Sequence, residues 1–220
     1  MMICPETYYE ENLKGKTASQ IMTAIRGLKQ GIIRLKNTME HPDYKCLMYP
    51  SEDTRIWCNR LYLERAKMAL AEAGGTYVPS KTEEKAAEFD ANIPFINKVE
   101  FCIGGCFDGY ETRTYTIDGV KIHMDVEHSL LLKPSNFGDN EVEEMDSDYF
   151  LSELAELHIG EWRKKYDPSR WGYTIMDGTQ WHLNIFYSNG RKAIKIEGSN
   201  DYPYNFNRLL ELFDIESWEK

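Results

Sequence analysis

Residues 110–127 read YETRTYTIDGVKIHMDVE, and this stretch decides the fold class. Apolar and polar residues alternate along both halves of the stretch, which is the period of a β-strand with one buried face. The two halves meet at Asp118-Gly119, a dipeptide typical of the tight turn between antiparallel strands. The stretch therefore predicts a β-hairpin with one face in a core and the other face in water.

The sequence downstream predicts a second hairpin of the same kind. Residues 180–187 and 191–197 also alternate, and Asn189-Gly190 between them favours the positive backbone angles of a type I′ turn. A further strand is predicted upstream, at residues 98–103. Together these segments predict a mainly antiparallel sheet of about five strands.

Two helices are predicted around the second hairpin, one before it and one after it. Pro203 opens the later helix, and Ser199, Asn200 or Asp201 is expected to cap it. The apolar residues are Phe150, Leu154, Leu157 and Trp162 in the earlier helix and Phe206, Leu209, Leu210 and Phe213 in the later one. We expect both helices to pack on one face of the sheet.

Upstream of Ile96 the hydrophobic period is helical rather than alternating. Thr17 is expected to cap a first helix, and Ser51 a second helix that ends at Gly74. The first helix has an apolar seam at Ile21, Ile25, Leu28, Ile32, Leu35 and Met39. The second has a stripe at Ile56, Leu63, Ala66, Leu70 and Ala73, widened by Trp57, Leu61 and Met68. The two apolar sides predict an antiparallel helical hairpin.

The predicted fold class is therefore α+β in two parts. Residues 1–92 form the helical hairpin region, and residues 93–220 form an antiparallel α+β domain. Of the 220 residues, 42% are hydrophobic and 28% are charged, which is the composition of a globular protein and not of a disordered chain.

Several features of the chain indicate a cytoplasmic location and exclude a membrane span. Residues 1–12 lack the positive start and the apolar run of a secretory signal. No run approaches the ~18 consecutive apolar residues that a transmembrane helix needs. The number of cysteines is odd, which favours free thiols over a disulfide framework. The cysteines are Cys4, Cys46, Cys58, Cys102 and Cys106.

The charge of the chain is unevenly distributed. Residues 1–90 hold 13 basic and 13 acidic side chains, and the remaining residues hold 13 and 23, which accounts for the net charge of −10. Residues 12–39 carry six cations and no acid, and four of the six, Arg26, Lys29, Arg34 and Lys36, lie on the first helix outside its apolar seam. Exposed ion pairs contribute only ~0–1 kcal/mol each to stability, so we predict that these four residues belong to a binding surface for an acidic partner. The partner is expected to be a protein or a nucleoprotein complex, because the pI of about 5.1 disfavours direct nucleic-acid binding by the whole chain.

Two groups of residues could hold a metal ion. His123, Asp125 and Glu127 share one face of a predicted strand, about 7 Å apart between neighbours, and His128 follows them. The pair Cys102 and Cys106 has a spacing that zinc accepts, although a structural zinc site normally has two such pairs. A solvated strand face and an ordinary core thiol account for the same residues, so we assign no metal ligand and predict no cofactor.

No motif of covalent or phosphate chemistry is present in the sequence. Gly104-Gly105 precedes a predicted strand, whereas a phosphate-binding loop feeds a helix. The chain has no G-x-S-x-G motif, and His158 is expected to lie at the edge of a core. Catalytic residues are therefore not assigned.

The last third of the chain resembles a group of uncharacterised proteins from Gram-positive gut bacteria. The stretches that carry the resemblance are LHIGEWR at residues 157–163, DGTQW at 177–181, YSNG at 187–190, GSNDYPYNF at 198–206 and LLELF at 209–213. The resemblance implies a bacterial origin and brings no activity, cofactor or catalytic residue with it. The same motifs have a structural interpretation, as turn glycines, a core tryptophan and helix caps.

Two hypotheses for the function follow from these observations. The first is a non-enzymatic bacterial or phage protein that binds a macromolecule, in which the acidic surface would suit an inhibitor of a defence system. The second is a small metal-dependent hydrolase that uses His123, Asp125 and Glu127. Charge asymmetry and the lack of a site motif favour the first hypothesis.

Overall fold

The computed structural model of the chain describes residues 3–46, 49–106, 109–129, 146–175 and 177–215. The chain divides into two compact units, Met1–Ser80 and Lys81–Lys220. The first is called the hairpin unit and the second the sheet unit. Within the described part, no helix has the length and apolarity needed to cross a membrane.

The hairpin unit contains three helices: α1 (Pro5–Asn12), α2 (Ala18–Glu40) and α3 (Glu52–Glu72). The predicted caps of the two long helices are confirmed. Thr17 forms a capping box with Gln20, and the Ser51 hydroxyl accepts the backbone N–H of Thr54. A Cβ on Gly31 would lie 3.5 Å from Asn59, and one on Gly75 would lie 3.2 Å from Ala18. The two long helices are therefore antiparallel neighbours, as predicted.

The apolar seam of α2 is mostly buried. Its buried members are Ile21, Ile25, Ile32 and Leu35, and Ile56, Leu63, Ala66 and Leu70 of the neighbouring helix α3 are buried as well. Trp57 and Met68 were expected to widen the α3 stripe, but they are 57% and 60% exposed. A second side of α3 packs against α1, where Tyr8 stacks on Tyr62 at a centroid distance of 4.4 Å. Trp57 and Met68 lie on the remaining side of α3.

The helix α4 (Lys81–Asp90) belongs to the sheet unit, although the sequence placed it in the helical hairpin region that ends at residue 92. Phe89 is 1% exposed and packs in the core of the sheet unit together with Ile93. A Cβ on Gly160 would lie 2.7 Å from Ala86, so α4 lies directly on the 3-10 helix Ile159–Glu161. These contacts place the division before α4.

The sheet unit is built on a six-stranded sheet in the order β3-β2-β1-β5-β6-β4. The strands are β1 (Ile96–Gly105), β2 (Gly109–Asp118), β3 (Lys121–His128), β4 (Lys165–Tyr166), β5 (Thr179–Tyr187) and β6 (Ile194–Ser199). All neighbours pair antiparallel except β4 and β6, which are parallel. The predicted α+β class with a mainly antiparallel sheet is confirmed, with one short strand more than expected.

The two predicted turns differ in their geometry. The β2–β3 hairpin is tight: Asp118 pairs with Lys121, and Gly119 takes the positive φ of 62° that the turn requires. Between β5 and β6 the loop is longer, and Gly190 has a φ of 78° while Asn189 has no positive φ. The Asn189 side chain accepts the backbone N–H of Arg191 at 3.1 Å instead. The expected type I′ turn is therefore not formed.

The helices α5 (Ser147–Glu156) and α6 (Phe206–Leu212) pack on one face of the sheet through aromatic rings, as predicted. The ring of Phe213 lies 5.2 Å from Phe101, 4.9 Å from Tyr115 and 6.2 Å from Phe150, measured between centroids. The earlier helix is shorter than predicted, because His158 takes a left-handed φ of 50° and ends the helical path.

The opposite side of the sheet is called the polar face. Its members alternate with core residues along each strand. They include Lys98, Glu100, Thr112, Thr114, Asp125, Glu127, Gln180, His182, Asn184, Lys195 and Glu197.

Candidate functional site

The four predicted binding cations on α2 do not behave alike. Arg26 and Arg34 are exposed, and neither side chain forms a hydrogen bond or an ion pair with any residue that the structure describes. Lys29 and Lys36 are half-buried and engaged within the chain. The prediction that all four lie outside the buried seam therefore holds, but only the two arginines are unengaged.

Lys29 has an internal partner in the segment that follows α3. Its Nζ donates a hydrogen bond to the Tyr77 hydroxyl at 3.0 Å and lies 5.6 Å from the centre of the Tyr77 ring. Lys67 of α3 lies 5.0 Å from the same ring. Two cations on neighbouring helices thus hold Tyr77 against the hairpin, and their charges are explained within the hairpin unit.

Large apolar side chains are exposed on the same unit. Ile33 is 57% exposed and directly precedes Arg34, and it lies seven residues, or about two helical turns, after Arg26. Trp57 and Met68 are eleven residues apart, which places them on one side of α3, about three turns from each other. The outward sides of α2 and α3 therefore combine free arginines with exposed apolar side chains.

The strand face considered for a metal ion lies on β3. His123, Asp125 and Glu127 are exposed, and their partners across β2 are the three threonines Thr116, Thr114 and Thr112. Across the described ranges, no group of three or more His, Cys, Asp or Glu side chains comes together in a way that could hold a metal ion. The three side chains are spread along the strand and do not converge on one point.

The two cysteines considered for a zinc site differ in their surroundings. Cys102 is 5% exposed, and burial raises the pKa of its thiol. Cys106 directly follows the end of β1 and is exposed. All five cysteines of the chain are free, which confirms the prediction that they do not form a disulfide framework.

The C-terminal motifs have structural roles in the sheet unit. The carboxylate of Asp201 is buried and accepts a hydrogen bond from Arg170 at 3.1 Å, while its backbone carbonyl accepts one from Trp181 at 3.0 Å. A Cβ on Gly198 would overlap the indole of Trp181. These contacts fix the GSNDYPYNF stretch against β5 and explain it as part of the core.

The expected cap of the last helix is corrected by the structure. The side chain of Asn200 accepts the backbone N–H of Thr179 at 2.9 Å, and Asp201 is paired as described, so neither caps a helix. The N-cap position of α6 is Asn205, whose amide donates to the Leu157 carbonyl at 2.8 Å. The polar residues of this stretch connect the loops of the sheet unit to each other.

A cavity of about 540 Å³ opens on the polar face and was not foreseen from the sequence. It is lined by parts of β2, β4, β5 and β6 and by the loops beside them. Its side chains include Lys165, Asp167, His182 and Glu197. The Lys165 ammonium lies 3.6 Å from the Asp167 carboxylate, and a hydrogen bond from Ser169 lowers the pKa of Asp167. The cavity therefore has at least one firmly ionised carboxylate in its wall.

Comparison with known proteins adds no assignment to these surfaces. No family model, no curated protein and no solved structure matches the chain. The resemblance of the last third to proteins of Gram-positive gut bacteria therefore stays a prediction.

Proposed function

We propose that this chain is a non-enzymatic binding protein whose hairpin unit docks onto an acidic protein partner. The observation that carries the proposal is the pair Arg26 and Arg34 on α2, whose side chains are exposed and form no hydrogen bond or ion pair with any described residue. Even a surface ion pair contributes only ~0–1 kcal/mol to stability, and an unpaired charge contributes less. An external carboxylate accounts for these two arginines better than the stability of the fold does.

The side chains around the two arginines support a protein partner. Ile33 is 57% exposed beside Arg34. Arg is enriched in protein interfaces because its planar guanidinium binds carboxylates with two parallel hydrogen bonds. Trp57 and Met68 on α3 also belong to residue types that interfaces concentrate. The hairpin unit thus exposes the apolar and cationic groups that a protein interface uses.

Nucleic acid is the less favoured acidic partner. Affinity for a nucleic acid grows with the number of phosphates that the protein neutralises. Of the four cations predicted to bind, Lys29 is held by Tyr77 and Lys36 is engaged, which leaves two arginines. The net charge of −10 opposes the approach of a polyanion further.

The test compares the full chain with the double variant Arg26→Gln/Arg34→Gln. Both proteins are immobilised and exposed to the same extract of a Gram-positive gut bacterium, and the retained proteins are quantified by mass spectrometry. We expect the variant to lose an acidic protein that the wild type retains. The Kd measured with that purified protein should rise by about tenfold or more, in a salt-dependent way. The melting temperature should be unchanged, since both arginines are exposed.

The matched control is Lys29→Gln/Lys67→Gln, which removes the same two charges from cations that contact Tyr77. This control should lower the stability of the hairpin unit and leave the Kd within about twofold. The proposal is wrong if the control loses the partner equally or if the arginine variant unfolds. A short DNA duplex that binds with the same arginine dependence would identify nucleic acid as the partner instead.

A further inference from the structure

The polar-face cavity lies where three strands bring polar side chains into one row. Lys165 of β4 pairs in register with Glu197 of β6, and Glu197 pairs with His182 of β5. Adjacent strands are about 4.8 Å apart, so the three side chains follow each other at that spacing. Their sequence neighbours Tyr166, Ile196 and Leu183 are buried in the core, which places the row on the polar face.

The volume of the cavity suits an organic ligand rather than a single ion. Sites for small molecules typically have volumes of about 300–1,000 Å³, and this cavity measures about 540 Å³. Its wall is mixed in character. Gln180 and Ser199 bond to each other at 2.8 Å across β5 and β6, and Tyr110, which is 37% exposed, lies at the cavity wall.

The charges in the wall are unbalanced. Three carboxylates line the cavity, those of Asp167, Asp177 and Glu197, against the one ammonium of Lys165. That ammonium lies beside Asp167. The carboxylates of Asp177 and Glu197 are exposed, and in the described part of the chain neither forms a hydrogen bond or an ion pair. Two carboxylates are thus available to a ligand inside a concave surface.

We propose that this cavity binds a small organic cation, a ligand with a primary ammonium or guanidinium group. The carboxylates of Asp177 and Glu197 accept hydrogen bonds from the cationic group, because ionised oxygens make the strongest hydrogen bonds to N–H donors. Tyr110 lines the same cavity and is an aromatic residue of the kind that binds cations. This site lies in the sheet unit and is independent of the arginine surface on α2.

The experiment titrates the full chain with four probes, followed by calorimetry and by backbone amide shifts. Spermidine supplies ammonium groups and arginine amide supplies a guanidinium, while sorbitol is neutral and citrate is anionic. We expect one of the cations to bind at least about tenfold more tightly than sorbitol and citrate. Its shifts should be concentrated in β5 and β6. The variant Asp177→Asn/Glu197→Gln should weaken that binding by about tenfold or more.

The matched control is Asp125→Asn/Glu127→Gln, which removes the same charge from exposed carboxylates on β3, on the same face but outside the cavity. The control should bind the cation within about twofold of the wild type. Equal weakening in the control would show general charge attraction and overturn the proposal. Equal binding of sorbitol or citrate, or the lack of any response to both cations at millimolar concentration, would overturn it as well. Melting temperatures of both variants verify that they are folded.

Discussion

The hairpin unit and the sheet unit bury their apolar residues in different ways. In the hairpin unit the buried residues are mainly aliphatic and repeat along two helices, and Ile33, Trp57 and Met68 stay exposed. In the sheet unit the core joins aromatic rings from distant parts of the chain, such as Phe101 and Phe213. The first kind of core follows from a local pattern and leaves large apolar side chains exposed. The second depends on a few rings that each join several elements.

The two units can be followed separately through their thiols. Cys58 is 6% exposed in the hairpin unit and Cys102 is 5% exposed in the sheet unit. The thiolate is the form that reacts with an alkylating reagent, and burial raises the pKa of Cys102. Labelling of each cysteine as denaturant increases therefore reports the opening of its own unit.

The largest effect is expected from Phe213→Ala. The ring contacts Phe101, Tyr115 and Phe150, so its removal leaves a cavity bordered by several elements. The free energy of unfolding of the sheet unit should fall by ~3–5 kcal/mol, measured by the denaturant concentration at which Cys102 becomes labelled.

Tyr149→Ala is the control for this variant, since Tyr149 is 58% exposed on α5. It should change the free energy of unfolding by less than about 1 kcal/mol. The claim that the two units unfold separately would be contradicted if Phe213→Ala also shifted the labelling midpoint of Cys58 by the same amount. That result would mean that the two cores open together.

A smaller loss is expected from Gly198→Ala in β6. The added Cβ would overlap the indole of Trp181, which is 2% exposed and bonded to the Asp201 carbonyl. Overpacking of this kind costs ~1–3 kcal/mol, and the near-ultraviolet circular dichroism of the tryptophan should change with it. Lys195→Ala, an exposed position on the same strand, should stay within about 0.5 kcal/mol of the wild type. An unchanged spectrum for Gly198→Ala would show that the indole is not held as described.

The features that the sequence predicted correctly are those encoded by neighbouring residues. The caps at Thr17 and Ser51, the seam of α2 and the turn at Gly119 each depend on residue types within a few positions. Alternation along residues 110–127 was enough to separate the core face from the polar face. Such patterns fix local conformation because caps, turns and amphipathic periods act over one or two turns of chain.

The features that the sequence missed depend on distant contacts. Helix α1 is held through Tyr8 on Tyr62, a contact between residues 54 positions apart, and Trp57 of α3 is exposed where the sequence predicted a buried residue. Strand β4 is two residues long and is defined by its pairing with β6. Two residues are too few to show an alternating hydrophobic pattern, so the sequence could not predict this strand. A helix was expected to continue past His158, whose left-handed backbone no propensity indicated.

The two candidate sites also differ in how far local sequence could predict them. The cations of α2 could be placed outside the seam from spacing alone, but only the contact of Lys29 with Tyr77 separates it from Arg26. The row of Lys165, Glu197 and His182 in the cavity depends on the order of β4, β6 and β5, which no single segment of the sequence contains. The order of the strands in this sheet could not be predicted from the alternation of apolar and polar residues. Alternation shows which face of a strand is buried, but it does not show which strand lies next to it.

The smallest effect is expected from Gly27→Ala on α2, and it tests whether the outward side of the hairpin unit is open. A Cβ at Gly27 would meet no atom within 4 Å, and Ala favours an exposed helix over Gly by ~1 kcal/mol. The hairpin unit should therefore gain about that much stability, read from the labelling midpoint of Cys58. Gly15→Ala is the control with the opposite sign, because its Cβ also meets open space but its φ of 75° strains any residue with a side chain.

Both glycines lie in the hairpin unit and have open space for a Cβ, but only Gly15 has a positive φ. The two variants therefore distinguish the effect of available space from the effect of backbone conformation. Gly27→Ala should stabilise and Gly15→Ala should destabilise, the latter by about 1 kcal/mol. If Gly27→Ala destabilised the hairpin unit as well, the side of α2 next to Arg26 would be covered in solution. Arg26 would then have an internal neighbour, and the proposal of an acidic protein partner would lose the observation that carries it. A gain in stability with an unchanged Kd for the partner would place Gly27 outside the docked surface. A gain in stability with a weaker Kd would place the edge of that surface at Gly27.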